Sequence, residues 1–424
     1  MNYQNMEVSQ LEKELKRLRE KYEEYKAQNL KLDMSRGKPC PEQLNISMGI
    51  LDCLTSKDIC KTQDGTDCRN YGVLEGIPEM RKLFSEILDV APEEIIVGGN
   101  SSLNMMYDTI ARAMQFGVVD SDIPWRKLPE VKFICPSPGY DRHFAICELL
   151  NIKMLTVDMK QDGPDMDAVE ALVREDDSIK GIWCVPKYSN PDGITYSDEV
   201  VDRLAAMNTK AKDFRIFWDN AYVVHHLTEK GDSLKNILEA CKKAANPDRV
   251  FIFASTSKVS FPGAGIAAFA ASTENIKQAK KLMSIQTIGN DKLNQLRHAK
   301  YFKNLDGILE HMKKQASIIS PKFDIVLEIL ERELSSKEIA WWKKPNGGYF
   351  ISLYTLDGCA KKIVAMAKAA GVTLTGAGAT YPYGRDPRDR NIRIAPTYPS
   401  VDELRKAIEI LALCVQIVSL EKVM

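Results

Sequence analysis

A lysine, an aspartate and an asparagine each stand just beyond a short apolar run of this chain. Lys258 closes Phe251-Ile252-Phe253-Ala254-Ser255-Thr256-Ser257-Lys258; Asp219 follows Phe214-Arg215-Ile216-Phe217-Trp218; Asn190 comes shortly after Gly181-Ile182-Trp183-Cys184-Val185. If the three runs are neighbouring parallel strands, their following residues gather at the carboxyl edge of one sheet, where such sheets bind ligands. An amine can form a Schiff base, a carboxylate can hold a proton on a pyridine nitrogen, and an amide can donate to a ring phenolate. That set matches the needs of pyridoxal 5′-phosphate (PLP). Tyr222, three residues past Asp219, supplies a second donor for the ring oxygen.

Each residue also has a plainer reading. Asp219 could cap the next helix, Asn190 could belong to an Asn-Pro turn, and Lys258 could be a solvated surface lysine. Burial is the better expectation for Lys258, because an apolar strand precedes it and Phe261-Pro262-Gly263-Ala264-Gly265 follows. Gly98, Gly99, Asn100 and Ser101 turn a strand into a helix, either as an ordinary N-cap or as a phosphate cradle. In a cradle the glycines admit the anion, and free N–H groups and the helix dipole face it. Arg393, in Asn391-Ile392-Arg393-Ile394-Ala395, is either on the solvent face of a strand or a two-pronged donor for a substrate carboxylate.

Composition narrows the field. The chain of 424 residues can bury a large core and reads as two domains. Its 58 basic and 58 acidic residues balance, and no long run of one sign makes an electrostatic case for nucleic acid or an anionic membrane. No stretch reaches the roughly 18 apolar residues of a membrane span, and the first residues lack the apolar centre of a signal peptide. Ten scattered cysteines read as reduced thiols of a cytoplasmic enzyme, and the five histidines form no ligand set with them, so no metal is expected.

These groups need elements to position them. Residues 6–32 carry Leu11, Leu15, Leu18, Tyr22 and Tyr25 at three- and four-residue steps, an amphipathic helix able to pack on the body or on a second subunit. Pro78 opens a helix with Met80, Leu83, Phe84, Ile87 and Leu88 on one face. Strands are expected at 94–97, 131–135, 153–157, 181–185, 214–218, 250–254 and 265–270, with helices between several of them, including 197–207 behind Ser197. That alternation predicts an α/β fold with a mostly parallel, seven-stranded sheet covered on both faces. Past residue 303 the pattern changes: helix over 303–334, strand 347–353, helix 359–370, a Gly/Pro/Arg-rich loop, strand 391–395, and a last helix opened by a capping box at 400–403. That is a smaller α+β domain.

The order Asn190-Pro191-x-Gly193, Asp219-x-Ala221-Tyr222, Ser255-x-Ser257-Lys258 and Arg393 resembles the fold-type-I PLP-dependent aminotransferases, from Arg36-Gly37-Lys38-Pro39 to the last helix. Three further segments, 185–191, 99–103 and 294–298, resemble a narrower set. These are aminotransferases similar to the catalytic half of MocR-type regulators, some described as aspartate aminotransferases of subgroup Ic. The resemblance implies an arm and part of the small domain in 1–60, a large PLP-binding domain in 61–304 and a small C-terminal domain in 305–424. It also implies a homodimer with shared active sites. Tyr140 would stack on the cofactor ring, Ser255 and Ser257 would bind its phosphate, Tyr71 would reach the phosphate of the neighbouring subunit, and Gly37 would lie in a loop closing over substrate.

One position departs from the pattern: Gly265 stands where many relatives carry a phosphate-pairing arginine. Arg36, Lys187, Lys292, Arg297 and Arg385 are the candidate cations for a dicarboxylate substrate. The activity implied is transfer of an amino group from an L-amino acid, aspartate or glutamate, to a 2-oxo acid. A β-lyase or decarboxylase would share the same core. A PLP-binding effector domain of a transcription regulator would need some 60 residues or more of DNA-binding domain before Arg36, where one charged helix stands.

Overall fold

The computed structural model describes residues 3–424. Its strands, in chain order, are β1 (Leu32–Asp33), β2 (Ile95–Val97), β3 (Lys132–Ser137), β4 (Lys153–Asp158), β5 (Ile179–Cys184), β6 (Arg215–Asp219), β7 (Val250–Ser255), β8 (Ala267–Ala270), β9 (Ala340–Trp342), β10 (Ile351–Thr355), β11 (Val372–Thr373) and β12 (Asn391–Ile394). Seven of them form one sheet in the order β2-β8-β7-β6-β5-β3-β4, in which β8 alone runs against the rest. All seven expected strands are present and form this sheet, most of them within a residue or two of the expected ends.

The sequence makes such a sheet because both faces are buried. Ile216 and Trp218 of β6 pack on one side with Ile182 and Ile252. Phe217 packs on the other with Phe133, Trp183 and Phe253. Successive side chains alternate faces, so a strand covered twice reads as an unbroken apolar run. Helices between the strands cover both faces. One of them, Asp198–Ala206, is capped by Ser197, whose Oγ accepts from the Val200 N–H at 3.3 Å, a contact worth about 1 kcal/mol. Register sets the site: Asp219 of β6 pairs with Phe253 of β7, which leaves Lys258 one turn further along the same edge.

A third apolar core lies among β1, β9 to β12 and the helices Leu305–Leu334, Ala360–Ala369 and Val401–Val423. The helix Val8–Ala27 packs on Val401–Val423 and buries Leu11, Leu18 and Tyr22, so the first residues join the last hundred around one core. Ser400 and Glu403 form the expected capping box, with the Ser400 N–H donating to Glu403 Oε2 at 2.9 Å.

Two boundaries differ from the sequence reading, and one strand pair was not expected, each for a physical reason. The strand expected from residue 347 begins at Ile351, because Gly347 and Gly348 pass against Tyr188; a Cβ on Gly347 would lie 2.3 Å from its ring. The helix expected from 303 begins at Leu305, since Lys303 turns to φ +66° and Asn304 caps the new helix. The parallel pair of β1 and β11, two residues each, is too short to carry a periodicity.

Candidate active site

A cavity of about 600 Å³ opens at the carboxyl edge of the large sheet, lined by Lys258, Asp219, Tyr222, Asn190, Tyr140, Ser101, Ser255, Ser257, Gly37 and Arg393. Residues spread over more than 350 positions meet there because β5, β6 and β7 end together and β12 faces them from the smaller core.

Lys258 Nζ sits 5.0 Å from the Tyr222 ring centroid and 5.8 Å from that of Tyr349. Burial pushes its proton affinity down, and the Asp219 carboxylate opposes the shift without cancelling it. The neutral, nucleophilic amine is therefore more populated than on an exposed lysine.

Asp219 is the last residue of β6 and does not cap the next helix; Asn236 does that. Its Oδ2 lies 3.0 Å from His143 Nε2, and the imidazole is stacked on Trp183 at 4.0 Å and 3°. Its Oδ1 is buried without a hydrogen-bond partner. A carboxylate oxygen left bare in a buried site is costly, so this atom asks for a donor that a ligand must bring. A protonated ring nitrogen is such a donor, and the chemistry of the site fits PLP.

Two side chains able to donate to a ring oxygen, Asn190 and Tyr222, line the same cavity. Asn190 accepts from Arg393 Nη1 at 3.2 Å through Oδ1, which leaves its NH2 end for a ligand. Tyr222 is buried; desolvation foremost, then Tyr140 and Asp219, push its hydroxyl far up, so it remains a phenol able to donate. Tyr140 precedes the helix Asp141–Leu149 and meets His143 edge-on at 5.0 Å. Burial, followed by the nearby Asp219 charge, raises its hydroxyl to about 12.

The hydroxyl end is more mixed. Ser255 Oγ donates to Ser257 Oγ and Ser257 Oγ to the Asn100 carbonyl, both at 3.1 Å. Ser101 lines the cavity and also caps the helix Ser102–Phe116, accepting from the Asn104 N–H at 3.3 Å. Gly99 and Asn100 are exposed and off the cavity wall; Asn100 Nδ2 instead reaches the Pro262 and Gly263 carbonyls. Gly265 is enclosed: a Cβ there would lie 3.1 Å from Thr256 Oγ1 and 3.2 Å from the Ser257 nitrogen.

Arg393 is buried beneath the same cavity, its guanidinium 4.9 Å from the Phe350 ring centroid. A Cβ on Gly37 would lie 2.5 Å from the edge of that ring, so the 35–38 loop crosses it closely. Of the five candidate cations only Arg36 lines the cavity, joined by Lys38 and Arg142, which the sequence reading passed over. Lys187 faces a separate cavity of about 240 Å³ and donates to the Val223 carbonyl. Lys292 donates to Gly72 O, Arg297 to Asn294 Oδ1, and Arg385 is exposed. Tyr71 is 81% exposed and lies off this cavity in the single chain.

His143, the hydrogen-bond partner of Asp219, is another residue of the site that the sequence reading missed. Its signal was spacing, three residues after Tyr140 in the first turn of a helix, which puts both rings on one face.

Sheet order together with a lysine after β7 and an aspartate ending β6 defines the class, an α/β transferase of fold type I. A solved α-aminoadipate aminotransferase of Thermus thermophilus, in complex with N-(5′-phosphopyridoxyl)-L-leucine, shares that fold at 19% identity, with a TM-score of 0.71 over 91% of this chain and 92% of that one. The family model for aspartate aminotransferase matches residues 6–424, and the chain belongs to that family. An aspartate aminotransferase of Corynebacterium glutamicum is 46% identical over 404 residues, which is 95% of this chain and 93% of that protein. The crystal structure of an aspartate transaminase from the same species superposes with a TM-score of 0.97 at 44% identity, covering 100% of both chains.

Proposed function

We propose that the chain is a PLP-dependent aminotransferase that moves the amino group of aspartate or glutamate to a 2-oxo acid in two half-reactions. The observation that carries the reading is the unpartnered Oδ1 of Asp219 in the cavity that holds the Lys258 amine. When bound, PLP supplies the electron sink for the bond broken at the substrate's Cα.

Lys258 Nζ would hold the cofactor covalently, and as a free amine it would take a proton from the substrate Cα and later return it, as general base and acid. Asp219 Oδ1 keeps a proton on the ring nitrogen, and His143 and Trp183 hold the carboxylate in place. Asn190 and Tyr222 donate to the ring oxygen, Tyr140 stacks on the ring, and Arg393 fixes the α-carboxylate, which orients the bond to be broken. Ser101, Ser255 and Ser257 take the phosphate end. Each of Ser255→Ala and Ser257→Ala raises the PLP dissociation constant about tenfold, the size of one hydrogen bond to a charged group; an unchanged constant removes that hydroxyl from the phosphate site.

The dicarboxylate preference is supported by the family and by Arg36, Lys38 and Arg142 on the cavity wall. A panel of single-turnover reactions tests it: aspartate and glutamate convert bound cofactor to its amine form far faster than alanine, and equal rates end the reading.

The working unit is a cytoplasmic homodimer. Tyr71, Ile288 and Ile285 are exposed, the last at 89%, and Gly289 passes against Gly72; exposed apolar side chains of this kind suit an interface. Among the described residues no helix is long and apolar enough to cross a membrane. Tyr71→Ala weakens PLP binding while sedimentation still reports a dimer. Unaltered PLP affinity would place Tyr71 away from the partner's phosphate.

A further inference from the structure

Arg393 is already paired within the chain. Its Nη1 donates to Asp141 Oδ1 at 3.0 Å and to Asn190 Oδ1 at 3.2 Å, and its Nη2 donates to Thr375 Oγ1 at 3.1 Å. The partners differ in kind. Asn190 is buried, and Thr375 is tied down by its own donation to the Ser35 carbonyl at 2.6 Å. Asp141 is the one anion, with 35% of its side chain exposed, and it opens the helix Asp141–Leu149 on the cavity wall.

We propose that Asp141 is a placeholder for the substrate carboxylate: it neutralises Arg393 while the site is empty and is displaced when an anionic ligand takes the guanidinium. The inference rests on the reading of Arg393 as the α-carboxylate site. Leaving a buried guanidinium without a counter-charge is costly, so an empty carboxylate site needs a stand-in. A monodentate contact from a partly exposed side chain is the one a ligand with two carboxylate oxygens can replace. Asp141 thereby sets substrate affinity as an internal competitor, and it holds the arginine oriented between turnovers.

Succinate, a carboxylate without an amine, is the probe, titrated calorimetrically into PLP-saturated full-length protein. Asp141→Asn and Asp141→Ala bind succinate about fivefold more tightly than the parent, the scale of a partly exposed charge pair. The succinate-free Asp141→Asn protein melts at a lower temperature, and saturating succinate raises its Tm by more than it raises that of the parent. In an Arg393→Ala background, Asp141→Asn costs no further Tm, because there is no guanidinium left to neutralise. Unchanged or weaker succinate binding in both Asp141 variants overturns the placeholder, as does an equal Tm loss with and without Arg393. If Arg393→Ala alone leaves succinate binding intact, the carboxylate-site reading of Arg393 fails first, and the placeholder with it.

Discussion

Lys258→Ala abolishes the visible absorbance of the PLP-loaded protein and lowers turnover about 10⁴-fold or more. A positioned acid–base group contributes up to roughly 10⁴ on its own, and under the proposed function the same nitrogen also anchors the cofactor, so the upper end applies. The variant folds. The Lys258 amine lies over the faces of Tyr222 and Tyr349, 5.0 and 5.8 Å from their centroids. The turn around it is fixed by other atoms: Ser260 Oγ lies 2.8 Å from His298 Nε2, the Ile266 N–H donates to Thr256 Oγ1 at 2.8 Å, and Asn294 Nδ2 holds the Ala264 and Gly265 carbonyls. Removing a buried amine whose charge is disfavoured there leaves the Tm equal or higher. Spectra, turnover and a melting curve on one preparation check all three, and retained turnover takes the lysine out of the scheme.

Asp219→Asn is the second large effect, a fall of about 10- to 1000-fold near neutral pH. A carboxylate beside a cationic partner raises that partner's pKa by roughly 1–3 units, and one unit is a factor of ten in the protonated fraction. The sign follows. Without the charge the ring nitrogen loses its proton at neutral pH and regains it as pH falls, so activity of the variant relative to the parent rises toward acid. Asparagine keeps the side-chain shape beside His143, which separates charge from packing. A variant profile parallel to the parent's across pH contradicts the assignment of Oδ1 to that nitrogen.

Much of the sheet could be read from the chain because β5 and β6 are buried on both faces, and runs such as Phe214 to Trp218 leave little room for another interpretation. Lys258, Asp219 and Asn190 were legible for the same reason, since each stands at the end of such a run. Arg393 was legible only as one of two alternatives, and its burial under Phe350 excludes the solvent face. What stayed hidden depends on tertiary packing. His143 meets Asp219 only because its helix lies across the edge of β6, and Asp141 meets Arg393 across 252 positions of sequence. The Gly98 to Ser101 turn shows the limit of a local pattern: the spacing suits a cradle, yet only Ser101 of Gly99, Asn100 and Ser101 reaches the cavity, where it also serves as an N-cap.

Borohydride reduction of the PLP-saturated protein, followed by peptide mass mapping, tests the covalent role of the buried amine most directly. One phosphopyridoxyl group per chain is expected, on the peptide containing Lys258. A label on any other lysine, or no label in saturated protein, contradicts it.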